Sequence, residues 1–211
     1  MEKIIVKNAT KEIRKKIILD NINYTFENGK IYGLSGRNGC GKTMLLRALA
    51  GLIFLNEGNI SYDGQVIHKD IDFPESIGIV IENVDLLGQF DGFTNLKLLA
   101  EIKNIITDEE IIDILNRIGL DAGNKKKVKH YSLGMRQKLA IAQAIMENPE
   151  VLLLDEPTNG LDEDGVLKIR ELLLEMKDRG CIIILASHNK EDLGILADEI
   201  IYMNHGKILE K

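Results

Sequence analysis

The sequence predicts an α/β protein: a parallel-sheet core that carries an antiparallel β subdomain and an inserted α-helical subdomain. Three observations lead there. From residue 150 onward, apolar strand-like runs alternate with helix-like segments, the order that builds a parallel sheet. A glycine-rich stretch at 36–43 joins a short apolar strand to an amphipathic helix. Between 82 and 148 the apolar spacing turns helical. The 211 residues suit one core with an insertion, so the expectation is a single domain over 1–211. Residues 1–81 and 149–211 would form the core and its β subdomain, and 82–148 the helical part.

Each element has its own signal. Val, Ile, Leu and Tyr dominate 3–6, 17–26 and 31–35, with Glu27, Asn28, Gly29 and Lys30 as the turn before the last of these strands. Leu45, Leu46, Leu49 and Leu52 recur at helical spacing, which predicts a helix over 42–52. Residues 60–62 and 66–67 flank Asp63-Gly64 as a hairpin, and 77–81 reads as a strand. Thr107 and Glu110 form a capping box ahead of Ile111, Leu115 and Ile118. Then follow a strand at 151–154, a helix at 163–177 closed by Gly180, a strand at 181–186, a helix at 190–197 and a strand at 199–203.

Composition removes several classes of function. Apolar residues make up 45% and charged residues 28%, ordinary for a folded chain. A net charge of -6 gives non-specific nucleic-acid binding no global support, so no nucleic-acid partner is expected. No apolar run approaches the roughly 20 residues that a membrane-spanning helix needs. The N-terminus alternates like a strand and lacks the features of a signal peptide. Cys40 and Cys181 are the only thiols and show no metal-site spacing, which fits a reducing compartment. The expectation is a cytoplasmic protein.

Gly36, Arg37, Asn38, Gly39, Cys40, Gly41, Lys42 and Thr43 match the P-loop pattern, and Met44 continues into the helix. Glycines let successive N–H groups turn inward toward phosphate oxygens, and the helix N-terminus adds partial positive charge. Lys42 is placed to reach the β and γ phosphates of ATP and the Thr43 hydroxyl to hold Mg²⁺. Cys40 contributes its backbone rather than its thiol. Farther along, an apolar strand ends in Asp155 and Glu156. Asp155 then stands where Mg²⁺ needs a carboxylate, and Glu156 where water must be oriented or deprotonated.

A P-loop alone also suits a small-molecule kinase, a GTPase or a helicase, and three further motifs decide between them. Tyr131, Ser132, Leu133, Gly134, Met135, Arg136, Gln137 and Lys138 precede a helix; Pro157, Thr158, Asn159, Gly160, Leu161 and Asp162 follow the acids; Ala186, Ser187 and His188 close the next strand. In this order they resemble the signature motif, D-loop and switch histidine of ABC ATPases, and the resemblance covers essentially the whole chain. It implies an ATPase that pairs head to tail with a second ATP-binding subunit, a copy of itself or a relative, around two Mg-ATP. Ser132 and Gly134 of one protomer would close on the γ-phosphate held by the other, and Asp162 would both cap its helix and meet the partner. His188 would hold Glu156 and the attacking water in register. Read without the resemblance, Ser132 is a helix cap, Gly134 a turn residue and His188 a loop residue.

The resemblance further implies a membrane permease as partner, which would hold the chain on the inner face of the membrane. Two positions depart from the family pattern. Glu82 stands where most relatives place a glutamine that touches Mg²⁺, and an acid there resembles exporters that protect bacteria from bacitracin and lantibiotics. Ile13 aligns with the aromatic residue that stacks on adenine, which implies weaker or less base-selective binding. Lys125, Lys126, Lys127 and Lys129 read as a solvated face, with anionic lipid or permease contact as the alternative. The rival functions are a soluble ABC-type ATPase without a membrane partner and a small P-loop kinase.

Overall fold

The computed structural model describes residues 1–82 and 84–209. In chain order the first elements are β1 (Lys3–Ile13), β2 (Lys16–Glu27), β3 (Ile31–Ser35), α1 (Lys42–Leu49), β4 (Glu57–Tyr62), β5 (Gln65–Val66) and β6 (Ile77–Val80). Next come α2 (Gly92–Lys103), α3 (Asp108–Arg117), a 3₁₀ turn at Val128–His130 and α4 (Leu133–Ile145). The chain closes with β7 (Val151–Asp155), α5 (Glu163–Asp178), β8 (Ile182–Ala186), α6 (Lys190–Leu196), β9 (Glu199–Asn204) and β10 (Lys207–Ile208).

Two sheets result. One is antiparallel, in the order β2-β1-β4-β5; the other runs β10-β9-β3-β8-β7-β6, with all its pairs parallel except β10 with β9. The parallel strands are apolar throughout because both faces are covered. Leu152, Leu154, Ile183 and Leu185 point into one apolar cluster with α2, α3, α4 and α5. Their neighbours Val151, Leu153, Ile182 and Ile184 point into the other, with α1 and the antiparallel sheet. Truncating any of these fully buried side chains to alanine should cost about 2–5 kcal/mol.

The helical segment packs against this core, and one contact is especially close. The end of α4 lies against β6 at Gly78, where a Cβ would overlap the Ala144 carbonyl. Polar caps fix the helix starts: Asp91 for α2, Ser132 for α4, Asp162 for α5 and Asn189 for α6. At α3 both halves of the Thr107–Glu110 capping box are formed.

Several elements differ from the sequence expectation, mostly by a residue at an end. β1 runs on to Ile13 although its polar second half breaks the alternation, because it pairs with β2 on one side and β4 on the other through shifts in register. α1 stops at Leu49 rather than residue 52: Gly51, at φ 73°, turns the chain, and Leu52 N–H returns to the Arg47 carbonyl. The final strand β10, absent from the sequence reading, is a two-residue hairpin return after His205 and Gly206, both at positive φ. Among the described residues no helix is long and apolar enough to cross a membrane.

Candidate active site

β3 delivers the chain at Ser35 to a loop that turns back into α1. Gly36 is needed there because a Cβ would overlap the Met203 carbonyl and lie 2.7 Å from Cys40 Sγ. At Gly41, φ is 113° and a Cβ would sit 2.9 Å from the Ile18 carbonyl. Arg37, Asn38 and Gly39 form the exposed crest of the loop, whereas Cys40 is buried beneath it. Gly41 is the N-cap of α1 and offers no side-chain acceptor, so the first N–H groups of the helix remain for an anion. Lys42 is only 7% exposed and donates from Nζ to the Gly36 carbonyl at 2.8 Å, which lays its ammonium across the loop.

β7 brings the two acids to the same edge. Thr43 Oγ1 donates to Asp155 Oδ2 at 2.6 Å, so a hydroxyl and a carboxylate oxygen stand side by side. Burial pushes the Asp155 carboxyl above its ordinary range; the Thr43 hydrogen bond opposes this and the neighbouring Glu156 charge reinforces it. Such a carboxylate gains from a nearby cation. The donor set fits Mg²⁺, which takes one or two protein oxygens and completes its shell with water and phosphate. Among the described residues no group of three His, Cys, Asp or Glu side chains forms a metal site of protein ligands alone.

Glu156 turns out of the strand at φ 51°, with its N–H on the Ala186 carbonyl at 2.8 Å. Its carboxylate is gripped from β8's end. His188 Nδ1 lies 2.8 Å from Oε1, the His188 backbone N–H donates to the same oxygen at 3.1 Å, and Ser187 Oγ reaches Oε2 at 3.4 Å. A carboxylate so oriented at the mouth of a phosphate cradle can take a proton from water.

Gly41, Lys42, Thr43, Asp155 and Glu156 line a cleft of about 630 Å³ together with Met44 and Glu82. Glu82 therefore reaches the cleft, but its Oε2 is bonded to Arg47 Nη2 at 2.5 Å rather than to Thr43 or Asp155. Ile13 does not line the cleft. It stands at the end of β1, 41% exposed, and the paired strand β2 contributes Lys16 and Ile18 instead. Sequence reasoning missed Arg47, Lys16 and Ile18, and had Gln137 and Asn159 only as members of motifs, without a place in the cleft. Arg47 had a usable signal, since it lies four residues from Thr43 and so on the same face of α1.

Ser132 is exposed and its hydroxyl accepts the Met135 N–H at 3.2 Å. Gly134 packs within its own protomer, because a Cβ there would lie 2.7 Å from the Gly160 carbonyl. Asp162 Oδ1 caps α5 at Gly165 and accepts from Lys138 Nζ at 3.2 Å. Gln137 Nε2 donates to the Pro157 carbonyl at 3.1 Å, which joins α4 to the loop after Glu156.

Comparison with known proteins agrees with this arrangement. The family model described as ABC transporter matches residues 19–159. An uncharacterized ABC transporter ATP-binding protein of Bacillus subtilis, YybJ, is 56% identical over 97% of this chain and 94% of its own. The lantibiotic transport ATP-binding protein SrtF of Streptococcus pyogenes is 35% identical over 97% and 88%. The bacitracin transport ATP-binding protein BcrA of Enterococcus faecalis is 36% identical over 100% and 70%. In fold, the chain resembles the dimeric structure of a bacterial ABC transporter cassette, with a TM-score of 0.86 at 24% identity over 98% and 97% of the two chains. With a family match over most of its length and relatives of this identity, the chain belongs to the ABC transporter family as one of its ATP-binding ATPase subunits.

Proposed function

We propose that the chain powers a separate membrane permease from the cytoplasmic face, pairing with a second ATP-binding subunit around two Mg-ATP and hydrolysing them. The grip on Glu156 carries this reading: Ser187 and His188 aim its carboxylate at the cleft that Lys42, Thr43 and Asp155 line. Lys42 binds the β and γ phosphates, and the N–H groups at 36–44 cradle them. Thr43 and Asp155 would hold Mg²⁺, which would neutralise charge on the phosphates. Glu156 orients and deprotonates the attacking water, and His188 keeps it in place. Ser132 and Gly134 of the partner complete the site, and Asp162 meets the partner at the same seam.

The cargo we propose is a peptide antibiotic moved outward. Supporting this are Glu82 in the cleft and the transport named for SrtF and BcrA. Purified protein should hydrolyse ATP in the presence of Mg²⁺, and Glu156→Gln should abolish turnover while leaving nucleotide binding. Co-purification with a membrane protein, and raised tolerance to bacitracin or a lantibiotic when both are expressed, test the transport role. Full ATPase activity with no membrane partner and no change in tolerance would favour a soluble ABC-type ATPase.

A further inference from the structure

Asp192 lies in the first turn of α6, four residues after His188, and its side chain is 2% exposed. A carboxylate in such a place needs partners, and several segments supply them. Arg170 of α5 donates to Oδ1 through Nη2 at 2.5 Å and Nε at 3.0 Å. The Thr158 hydroxyl donates to Oδ2. The Asp192 N–H reaches Asn189 Oδ1 at 3.4 Å, and the Asn189 N–H reaches Ser187 Oγ at 3.0 Å. Ser187 Oγ in turn donates to Glu156 Oε2 at 3.4 Å.

The bonds therefore form a ring. It leaves Glu156 through Ser187, Asn189 and Asp192 and returns at Thr158, two residues along the backbone from where it began. Stability alone does not call for such an arrangement, since apolar side chains of similar volume often serve a buried site as well or better than an ion pair. What the polar groups add is direction and distance: each bond sets the position of the next. Thr158 belongs to the same short loop as Gly160, whose carbonyl lies against Gly134.

We propose that Asp192, backed by Arg170, is a positioning residue that ties the loop at 157–162 to the Ser187–His188 segment holding Glu156. The inference rests on the paired-subunit reading above, in which that loop faces the second protomer. The tie fixes the hydrogen bonds that Ser187 and His188 make to Glu156, so the carboxylate keeps its aim at the cleft.

Thr158→Val tests this because it removes one hydroxyl and leaves the Asp192–Arg170 pair intact. The expected result is a fall in kcat of about ten-fold or more, the size that small misplacements of catalytic groups produce, with KM for ATP and Tm held. Thr158→Ser should restore turnover, and Thr158→Val in a Glu156→Gln background should still dimerise on ATP. Unchanged kcat overturns the proposal. So does a kcat that falls together with Tm without rescue by serine, or a loss of ATP-driven dimerisation. Glu156→Gln alone is measured alongside. If it keeps full turnover, both the hydrolysis reading and this one fail; if it is inactive while Thr158→Val turns over normally, only the positioning role fails.

Discussion

Arg47 Nη2 donates to Glu82 Oε2 at 2.5 Å across the rim of the cleft, from the same face of α1 that presents Thr43 to Asp155. The pair answers a problem visible in the sequence, a third carboxylate near Asp155 and Glu156, by placing a cation beside it.

Removing that cation should therefore act on nucleotide handling more than on folding. Arg47→Met leaves Glu82 uncompensated in a cleft meant for phosphate, and a several-fold rise in KM for ATP is expected. Because the pair is partly exposed, the loss of stability should stay within about 1 kcal/mol. Glu82→Gln in the same background should bring KM back. Steady-state kinetics and thermal melts of the wild type and the two variants measure both effects.

Asp155 makes stability depend on pH. Its folded-state pKa is raised, first by burial and then by Glu156, so the folded chain holds this proton more tightly than the unfolded chain does. The group's stabilising contribution is complete below its unfolded value of about 3.9. It is lost as pH climbs through the folded value, which leaves a strained carboxylate at neutral pH. Without nucleotide, Asp155→Asn should raise Tm at pH 7 and lose that advantage toward pH 4. Mg²⁺-dependent ATPase activity should vanish at every pH. Melting curves across this range that ran parallel for variant and wild type would contradict the assignment.

Ser132 separates capping from a partner contact. Aspartate is as good an N-cap as serine, so Ser132→Asp should keep α4 and the monomer's Tm. It also adds negative charge where a partner's γ-phosphate would arrive. ATP-driven dimerisation of a Glu156→Gln background, followed by size-exclusion chromatography, should be lost on adding Ser132→Asp.

Two glycines should respond in opposite directions. Gly78→Ala forces α4 away from β6 and should cost about 1–3 kcal/mol. Gly194, within α6, has open space around its Cβ position and no positive φ, so Gly194→Ala should stabilise by about 0.5–1 kcal/mol. Denaturant titrations give both values directly.

Ile13 and Ile18 divide the question of base contact. Ile18 lines the cleft and Ile13 does not. Ile18→Ala should raise KM for ATP several-fold, while Ile13→Ala should leave it within two-fold.

Local chemistry explains why so much was legible. Runs such as 151–154 and 181–186 are apolar at every position, which only a strand covered on both faces tolerates, and β7 and β8 are those strands. The spacing of Gly36, Gly41, Lys42 and Thr43 encodes a phosphate cradle because loop, helix start and ammonium are contiguous in the chain. Thr107 and Glu110 likewise meet within one helical turn. Where pairing with distant strands overrides local pattern, as in the polar half of β1, the boundary was not readable.

Sequence alone determined which groups exist and which edge of the sheet they reach, since those depend on periodicity and short-range spacing. Only the tertiary structure decided that Arg47 meets Glu82, that Ile18 rather than Ile13 borders the cleft, and that Asp192 joins Thr158 to the grip on Glu156. Each of these contacts spans segments far apart along the chain, and their meeting depends on how β1, β2, α1, α5 and α6 pack, a sum of many weak contacts that no local pattern carries.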